Sequence, residues 1–199
     1  MNRSLRIAVA DDEALIRQYF SEILRDMGHE VVAAARDGRE LVEACRRQRP
    51  DLVISDIKMP RMDGIEAAAT ITGEQSVPVI LVSAFHEAEL VQRAGQSHVY
   101  AYLVKPIERA DLETAITIAV RQFEQFESLR REASDLRQAL DDRKIIERAK
   151  GIVMKKLALD EDAAFRRLQK AASDQNKKLA DVAGIIVDAE AALGDIAGK

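Results

Sequence analysis

Leu52-Val53-Ile54-Ser55-Asp56 is a short apolar run that ends in a carboxylate. It is the third of five such runs, with Leu5–Ala10, Val31–Ala35, Val77–Val82 and Val99–Val104. Between them lie stretches with apolar residues at helical spacing: Leu15-Ile16-Tyr19-Phe20-Ile23-Leu24-Met27, then Leu41-Val42-Ala44-Cys45, Ile65-Ala68-Ala69-Ile71 and Leu90-Val91-Ala94. Short runs apolar throughout read as strands buried on both faces, and strands alternating with amphipathic helices predict a parallel sheet covered on both sides. The fold class expected is therefore α/β, a doubly wound five-stranded parallel sheet.

From Arg109 to about Leu157 the chain has no proline, and its first glycine is Gly151. Apolar residues at Leu112, Ile116, Ala119, Phe123 and Phe126 step by fours and threes. After one step out of phase they resume at Leu129, Ala133, Leu136 and Leu140. This reads as a coiled-coil seam with one stammer, on a long helix suited to self-association. Asp160 is placed as the N-cap of a further helix. A polar turn, Ser173–Lys178, leads to a last helix with Leu179, Val182, Ile185, Ile186 and Ala189. The tail is thus a small three-helix all-α domain. The expected division is 4–120, a linker helix over 121–142, and a module over 136–195.

Composition narrows the function. The longest apolar runs fall far short of the roughly 20 residues a membrane span requires, and no signal-peptide core follows Met1, so a cytoplasmic protein without membrane contact is expected. The lone cysteine, Cys45, excludes an intrachain disulfide and is expected to be buried. His29, His86 and His98 form no ligand spacing. The net charge of −4 conceals an asymmetry: residues 1–118 carry 14 Lys/Arg against 19 Asp/Glu, while residues 143–178 carry 11 against 5. An acidic front and a basic rear suit different partners.

In a parallel sheet, ligands gather beyond the carboxyl ends of the strands. There the runs end in Asp11-Asp12-Glu13, Asp56, Ser83 and Lys105-Pro106. Crowded carboxylates resist ionisation unless a cation joins them. Mg2+ suits that role, and a carboxylate beside it can accept a phosphoryl group.

Asp11-Asp12, Asp56-Ile57-Lys58-Met59-Pro60-Arg61-Met62-Asp63-Gly64, Ser83-Ala84 and Tyr102-Leu103-Val104-Lys105-Pro106, in this order, resemble the receiver domains of response regulators, a flavodoxin-like fold. The resemblance implies phosphorylation of Asp56 by a sensor histidine kinase. It implies Mg2+ held by Asp12, Asp56 and the Lys58 carbonyl, with Asp11 acting through water. Ser83 and Tyr102 resemble the hydroxyl and aromatic pair that rearranges on phosphorylation, and Lys105 the phosphate-contacting lysine. Gly95-Gln96-Ser97-His98 departs from the usual pattern, with histidine where glycine is customary. An aspartyl-phosphate phosphatase is disfavoured because Lys58 stands where such enzymes have an acid/base aspartate. A turnover enzyme is therefore not expected.

Arg143-Lys144-Ile145-Ile146-Glu147-Arg148-Ala149-Lys150-Gly151-Ile152-Val153-Met154, together with Leu168–Ser173 and Asn176–Ala183, resembles the ANTAR domain. Leu157-Ala158 departs from it, standing where a glycine turn is usual, so a tighter or more helical turn is expected. The resemblance implies a transcription antiterminator that binds RNA stem-loops in nascent leader transcripts, as a homodimer on activation. The candidate phosphate contacts are Arg143, Lys144, Arg148, Lys150, Lys155, Lys156, Lys170, Lys177 and Lys178. Gln169, Ser173 and Asn176 are candidates for base or loop contacts. The alternative is a DNA-binding response regulator, disfavoured by the lack of a second basic recognition helix.

Overall fold

The computed structural model describes residues 3–84 and 99–197. Its strands are β1 (Arg6–Ala10), β2 (Glu30–Ala35), β3 (Leu52–Asp56), β4 (Val79–Ser83) and β5 (Val99–Val104). Its helices are α1 (Ala14–Asp26), α2 (Gly38–Gln48), α3 (Gly64–Glu74), α4 (Arg109–Leu157), α5 (Glu161–Asp174) and α6 (Leu179–Ala197). The expected helical stretch at Leu90-Val91-Ala94 and the unusual Gly95–His98 lie outside the described residues. Among the described residues no helix is long and apolar enough to cross a membrane.

The strands form one parallel sheet in the order β2-β1-β3-β4-β5. The fold is the doubly wound, flavodoxin-like one. Alternation along each strand sends side chains to two cores. Val53, Val79 and Leu81 face Leu41, Cys45 and Ile71 of α2 and α3. Ile7, Val9, Leu52, Ile54 and Ile80 face Phe20 and Leu24 of α1 and Leu112 and Ile116 of α4. The central strands β3 and β4 are buried at every position. The edge strands β2 and β5 are only partly covered, which is why β5 tolerates Tyr100 and Tyr102.

In the sheet domain, α1 and α4 depart from the sequence expectation. Leu15, assigned to the apolar stripe of α1, is exposed. It precedes Phe20 by five residues, which at about 100° per residue puts it some 140° around the helix from the buried centre. The first part of the α4 seam is not open to a partner, since Leu112, Ile116 and Ala119 pack into the sheet's second core. The later leucines Leu129, Leu136 and Leu140 remain in solvent.

The chain divides into two compact units, Met1–Glu127 and Ser128–Lys199. In the second, the C-terminal part of α4 packs with α5 and α6 around Ala149, Val153, Ala164, Leu168, Ala183 and Val187. The turn after α4 is not a more helical one. Ala158 adopts φ +49°, the left-handed conformation that glycine occupies without strain. Asp160 caps α5 by accepting from the Ala163 N–H at 2.7 Å. Ser173 and Asp174, expected in a turn, complete α5. A Schellman motif closes that helix: the Lys177 N–H donates to the Ala172 carbonyl (3.0 Å) and the Asn176 N–H to the Ser173 carbonyl (3.1 Å), with Asn176 at φ +51°.

Candidate functional site

In this sheet the strand order reverses about β1 and β3, and the crevice at their carboxyl ends is where such folds bind ligands. Asp11 follows β1 and Asp56 ends β3, so both lie there. Lys105, just after β5, reaches across to join them. Its Nζ lies 2.8 Å from Asp11 Oδ2 and 2.7 Å from Asp56 Oδ1. Backbone donors take the other oxygens: the Glu13 N–H donates to Asp11 Oδ1 at 2.9 Å, and the Lys58 N–H to Asp56 Oδ2 at 2.6 Å.

The β3–α3 loop fixes Asp56. The Gly64 N–H donates to the Ile57 carbonyl at 2.9 Å, and Asp63 caps α3 by accepting from the Glu66 N–H. A Cβ at position 64 would collide with the Asp56 carbonyl oxygen. Glycine is required there by close approach, not by an unusual φ.

Asp12, Glu13, Asp56, Lys58, Ser83, Ala84 and Lys105 line a cavity of about 140 Å³. Drug-sized ligands occupy roughly 300–1,000 Å³, so this space suits a small anion with a cation, not an organic substrate. A roomier cavity, about 530 Å³ and lined by Leu5, His29, Pro78 and Phe123, opens at the opposite end of the strands, away from these carboxylates.

Burial raises the Asp56 carboxyl above its ordinary pKa, and the Asp11 charge adds to this. The hydrogen bond and charge of Lys105 and the Lys58 N–H oppose it. For Lys105, burial pulls the pKa down, but its bonds to Asp11 and Asp56 outweigh that and hold the ammonium firmly protonated. One cation thus serves two buried carboxylates beside a third, Asp12. This is an electrostatic deficit that a hard divalent ion relieves.

The candidate residues therefore divide. Asp12, Asp56, Lys58, Ser83 and Lys105 share one cavity. Asp11 does not line it and is held behind Lys105. Tyr102 packs instead beside the core that holds Leu41 and Ile71. Among the described residues no three His, Cys, Asp or Glu side chains form a ready metal cluster. The donor set still fits Mg2+, which keeps most of its waters and takes one or two carboxylates.

In the second unit, Arg143, Lys144, Arg148, Lys155 and Lys156 on α4, Lys170 and Ser173 on α5, and Asn176, Lys177 and Lys178 beyond it are exposed. Lys144 pairs with Asp141 at 3.6 Å and Lys156 with Glu190 at 3.0 Å. Lys150 does not belong to this surface. It is 8% exposed, and its Nζ lies 2.7 Å from both Glu147 and Glu161, so it ties α4 to the first turn of α5. Asn176 has a conformational role besides, as the left-handed residue of the Schellman turn.

The sequence reading passed over Arg166 and Arg167. Both are exposed, and neither makes an ion pair among the described residues. Arg166, Gln169, Lys170 and Ser173 follow at helical spacing, opposite the buried Ala164, Leu168 and Ala172. That periodicity was available in the sequence and would have put Arg166 on the same ridge.

Comparison with known proteins agrees with this division. The response regulator receiver domain family matches residues 7–117, and the ANTAR domain family matches residues 134–187. The transcriptional regulatory protein PdtaR of Mycobacterium tuberculosis is 42% identical over 183 residues, covering 92% of this chain and 89% of that protein. A protein-glutamate methylesterase of Haloarcula marismortui is 39% identical, but over only 57% of this chain and 31% of its own. Among solved structures, the signal receiver domain of NarL from M. tuberculosis superposes with a TM-score of 0.57 at 30% identity, covering 60% of this chain and 98% of that one. CheY4 of Vibrio cholerae gives a TM-score of 0.55 at 27% identity, covering 59% and 99%. The chain belongs to the two-component response regulators that join a receiver domain to an ANTAR domain.

Proposed function

We propose that Asp56 accepts a phosphoryl group from a sensor histidine kinase and that this controls RNA binding by the second unit. The observation that carries the reading is the Lys105 ammonium seated between Asp11 and Asp56, beside a small cavity that also presents Asp12 and Ser83. An Asp56 oxygen attacks phosphorus as the bond from phosphorus to the donor histidine nitrogen breaks. The leaving imidazole keeps that electron pair and takes up a proton. Asp12, Asp56 and the Lys58 carbonyl would hold Mg2+, and Asp11, held behind Lys105, would act on it only through water. When bound, the ion neutralises charge on the phosphoryl oxygens. Lys105 turns from the Asp56 carboxylate to a phosphoryl oxygen, and the Ser83 hydroxyl donates to another. The acyl phosphate adds charge and acceptor oxygens at the edge where β4 and β5 end, and this biases Ser83 and Tyr102 toward a second arrangement.

The output is transcription antitermination in the cytoplasm through a stem-loop in nascent leader RNA. Exposed Arg143, Lys144, Arg148, Lys155, Lys156, Lys170, Lys177 and Lys178 contact phosphates. Ser173 and Asn176, with Gln169 and the added Arg166, meet the loop. Pairing of two copies through α4 aligns two such surfaces, and avidity raises affinity. PdtaR's description as a transcriptional regulator supports the output class. The chain acts as a switch rather than a turnover enzyme.

The test is a gel shift with leader-RNA hairpins and duplex DNA, using protein with and without a phosphodonor. Phosphorylation is expected to tighten RNA binding, with no such effect in Asp56→Asn. Arg166→Ala is expected to weaken it. Preferential binding of duplex DNA would replace this reading with the DNA-binding alternative.

A further inference from the structure

A cavity of about 530 Å³ opens where β1, β2 and β4 begin, at the end of the sheet away from Asp56. Leu5, His29 and Pro78, each just before one of these strands, form one side. Ile116, Val120 and Phe123 of α4 form the other. Both sides are held in place. The Glu30 N–H donates to the Leu5 carbonyl at 2.8 Å, and the Val53 N–H to the Pro78 carbonyl at 3.0 Å. The Phe123 ring meets the Tyr100 ring edge-on, with centroids 5.8 Å apart. Drug-sized ligands occupy roughly 300–1,000 Å³, in clefts that are mostly apolar and largely preformed. This cavity has that size and that lining, and the chemistry at Asp56 makes no use of it.

One polar group interrupts the buried apolar wall. His29 is 7% exposed, and its Nδ1 accepts the Leu5 N–H at 3.3 Å. Burial lowers its pKa, with the Glu113 charge opposing, so the ring is neutral at pH 7. With Nδ1 as acceptor, the proton sits on Nε2. Among the described residues that N–H has no acceptor, yet it is not sealed from solvent. It therefore opens on the cavity that the ring lines, as a donor without a partner. The charged lining residues cancel, Arg3 and Arg121 against Asp51 and Glu124. Arg3 lies 3.7 Å from Asp51, which also accepts the Arg6 N–H at 2.9 Å. The lining thus carries no net charge that would select an ion.

We infer that this cavity binds an uncharged, mainly apolar ring compound with one hydrogen-bond acceptor, the acceptor on His29 Nε2 and the ring between Pro78, Val120 and Phe123. Such a ligand bridges the strand starts and α4, and so stabilises the folded domain by mass action.

The test titrates the full-length chain with four naphthalenes that share a ring system and differ in the attached group, followed by amide NMR. The compounds are 2-acetylnaphthalene, 2-ethylnaphthalene, 2-naphthoate and 2-naphthylmethylammonium. The acetyl compound is expected to shift the signals of Leu5, His29 and Val120. It is expected to bind roughly three- to ten-fold tighter than the ethyl compound, the difference that one neutral hydrogen bond makes. Both ions are expected to bind more weakly than the acetyl compound. In His29→Phe a ring remains but the donor is gone, so the acetyl and ethyl compounds are expected to bind alike. Thr117→Trp, at an exposed α4 position on the cavity wall, is expected to block all four. The titrations of the parent chain decide the matter even where a variant fails to fold. No shift at these residues up to the solubility limit, or equal binding of the acetyl and ethyl compounds by the parent, would overturn the site. Tighter binding of either ion would overturn the ligand class, and a preference that survives His29→Phe would overturn the assigned donor.

Discussion

Replacing Lys105 with methionine removes one cation shared by two buried carboxylates while keeping the aliphatic volume. Asp11 is fully buried and Asp56 is 5% exposed, so neither gains much hydration in exchange. Each lost charge-assisted bond is worth about 1.5–3 kcal/mol. The Lys105 side chain is 22% exposed, which places the sum of the two bonds toward the lower end, about 3–4 kcal/mol. For a domain of this size that lowers Tm by roughly 10 °C. Because the deficit is electrostatic, millimolar Mg2+ is expected to stabilise the variant more than the parent, through mass action on the folded state. Urea denaturation at pH 7, with Mg2+ or with EDTA, measures both effects. An unchanged or raised stability in EDTA would refute the reasoning, because Lys105 would then contribute nothing to holding the carboxylates together. Equal Mg2+ stabilisation of variant and parent would refute the cation-replacement argument.

Gly64→Ala forces a methyl group against the Asp56 carbonyl, so a loss of about 1–3 kcal/mol is expected, with slower phosphorylation because the loop carrying the Lys58 N–H must move; unaltered stability and rate would count against the close approach. Ala158→Gly relieves a left-handed alanine at φ +49° and is expected to stabilise the second unit by about 0.5–1 kcal/mol after the added freedom of the unfolded chain is subtracted, a gain that calorimetry can read. His29 accepts the Leu5 N–H at its Nδ1 (3.3 Å), and burial holds its pKa below the ordinary value, with the Glu113 charge opposing. The unfolded histidine therefore binds its proton first on acidification, so this contribution is complete above about pH 6.5 and is lost as pH falls from there through the lower folded pKa. Comparison of denaturation at pH 7.5 and 5.5 should show a shallower decline in His29→Gln, and an identical decline would remove His29 as its source.

Much of the architecture was legible because the apolar runs are short and the carboxylates stand at their ends. Leu52–Asp56 could be read from the sequence alone, since a parallel strand buried on both faces leaves no ambiguity of register between polar and apolar sides. What could not be read was pairwise. Lys150 shares its positive charge and its helix with Arg148 and Lys155, and only the approach of Glu161 from the next helix shows that it is tied inward. Asp11 and Asp12 are neighbours of the same type, yet one is buried against Lys105 and the other lines the cavity, because successive residues leave a strand end in different directions. The α4 stripe runs on past its one out-of-phase step, but the sheet covers its first part and leaves the leucines after Ser128 bare. Periodicity gives the face of a helix and not what lies against it. The left-handed turn at Ala158 was hidden by its residue type, since alanine signals helix.

The account stands or falls on one carboxylate accepting the phosphoryl group. Intact-protein mass spectrometry after incubation with a small-molecule phosphodonor and Mg2+ tests this directly. The expected result is a gain of one phosphoryl group, mapped to Asp56 and absent both in Asp56→Asn and in EDTA. An unchanged mass, or a phosphoryl group retained in Asp56→Asn, would contradict it.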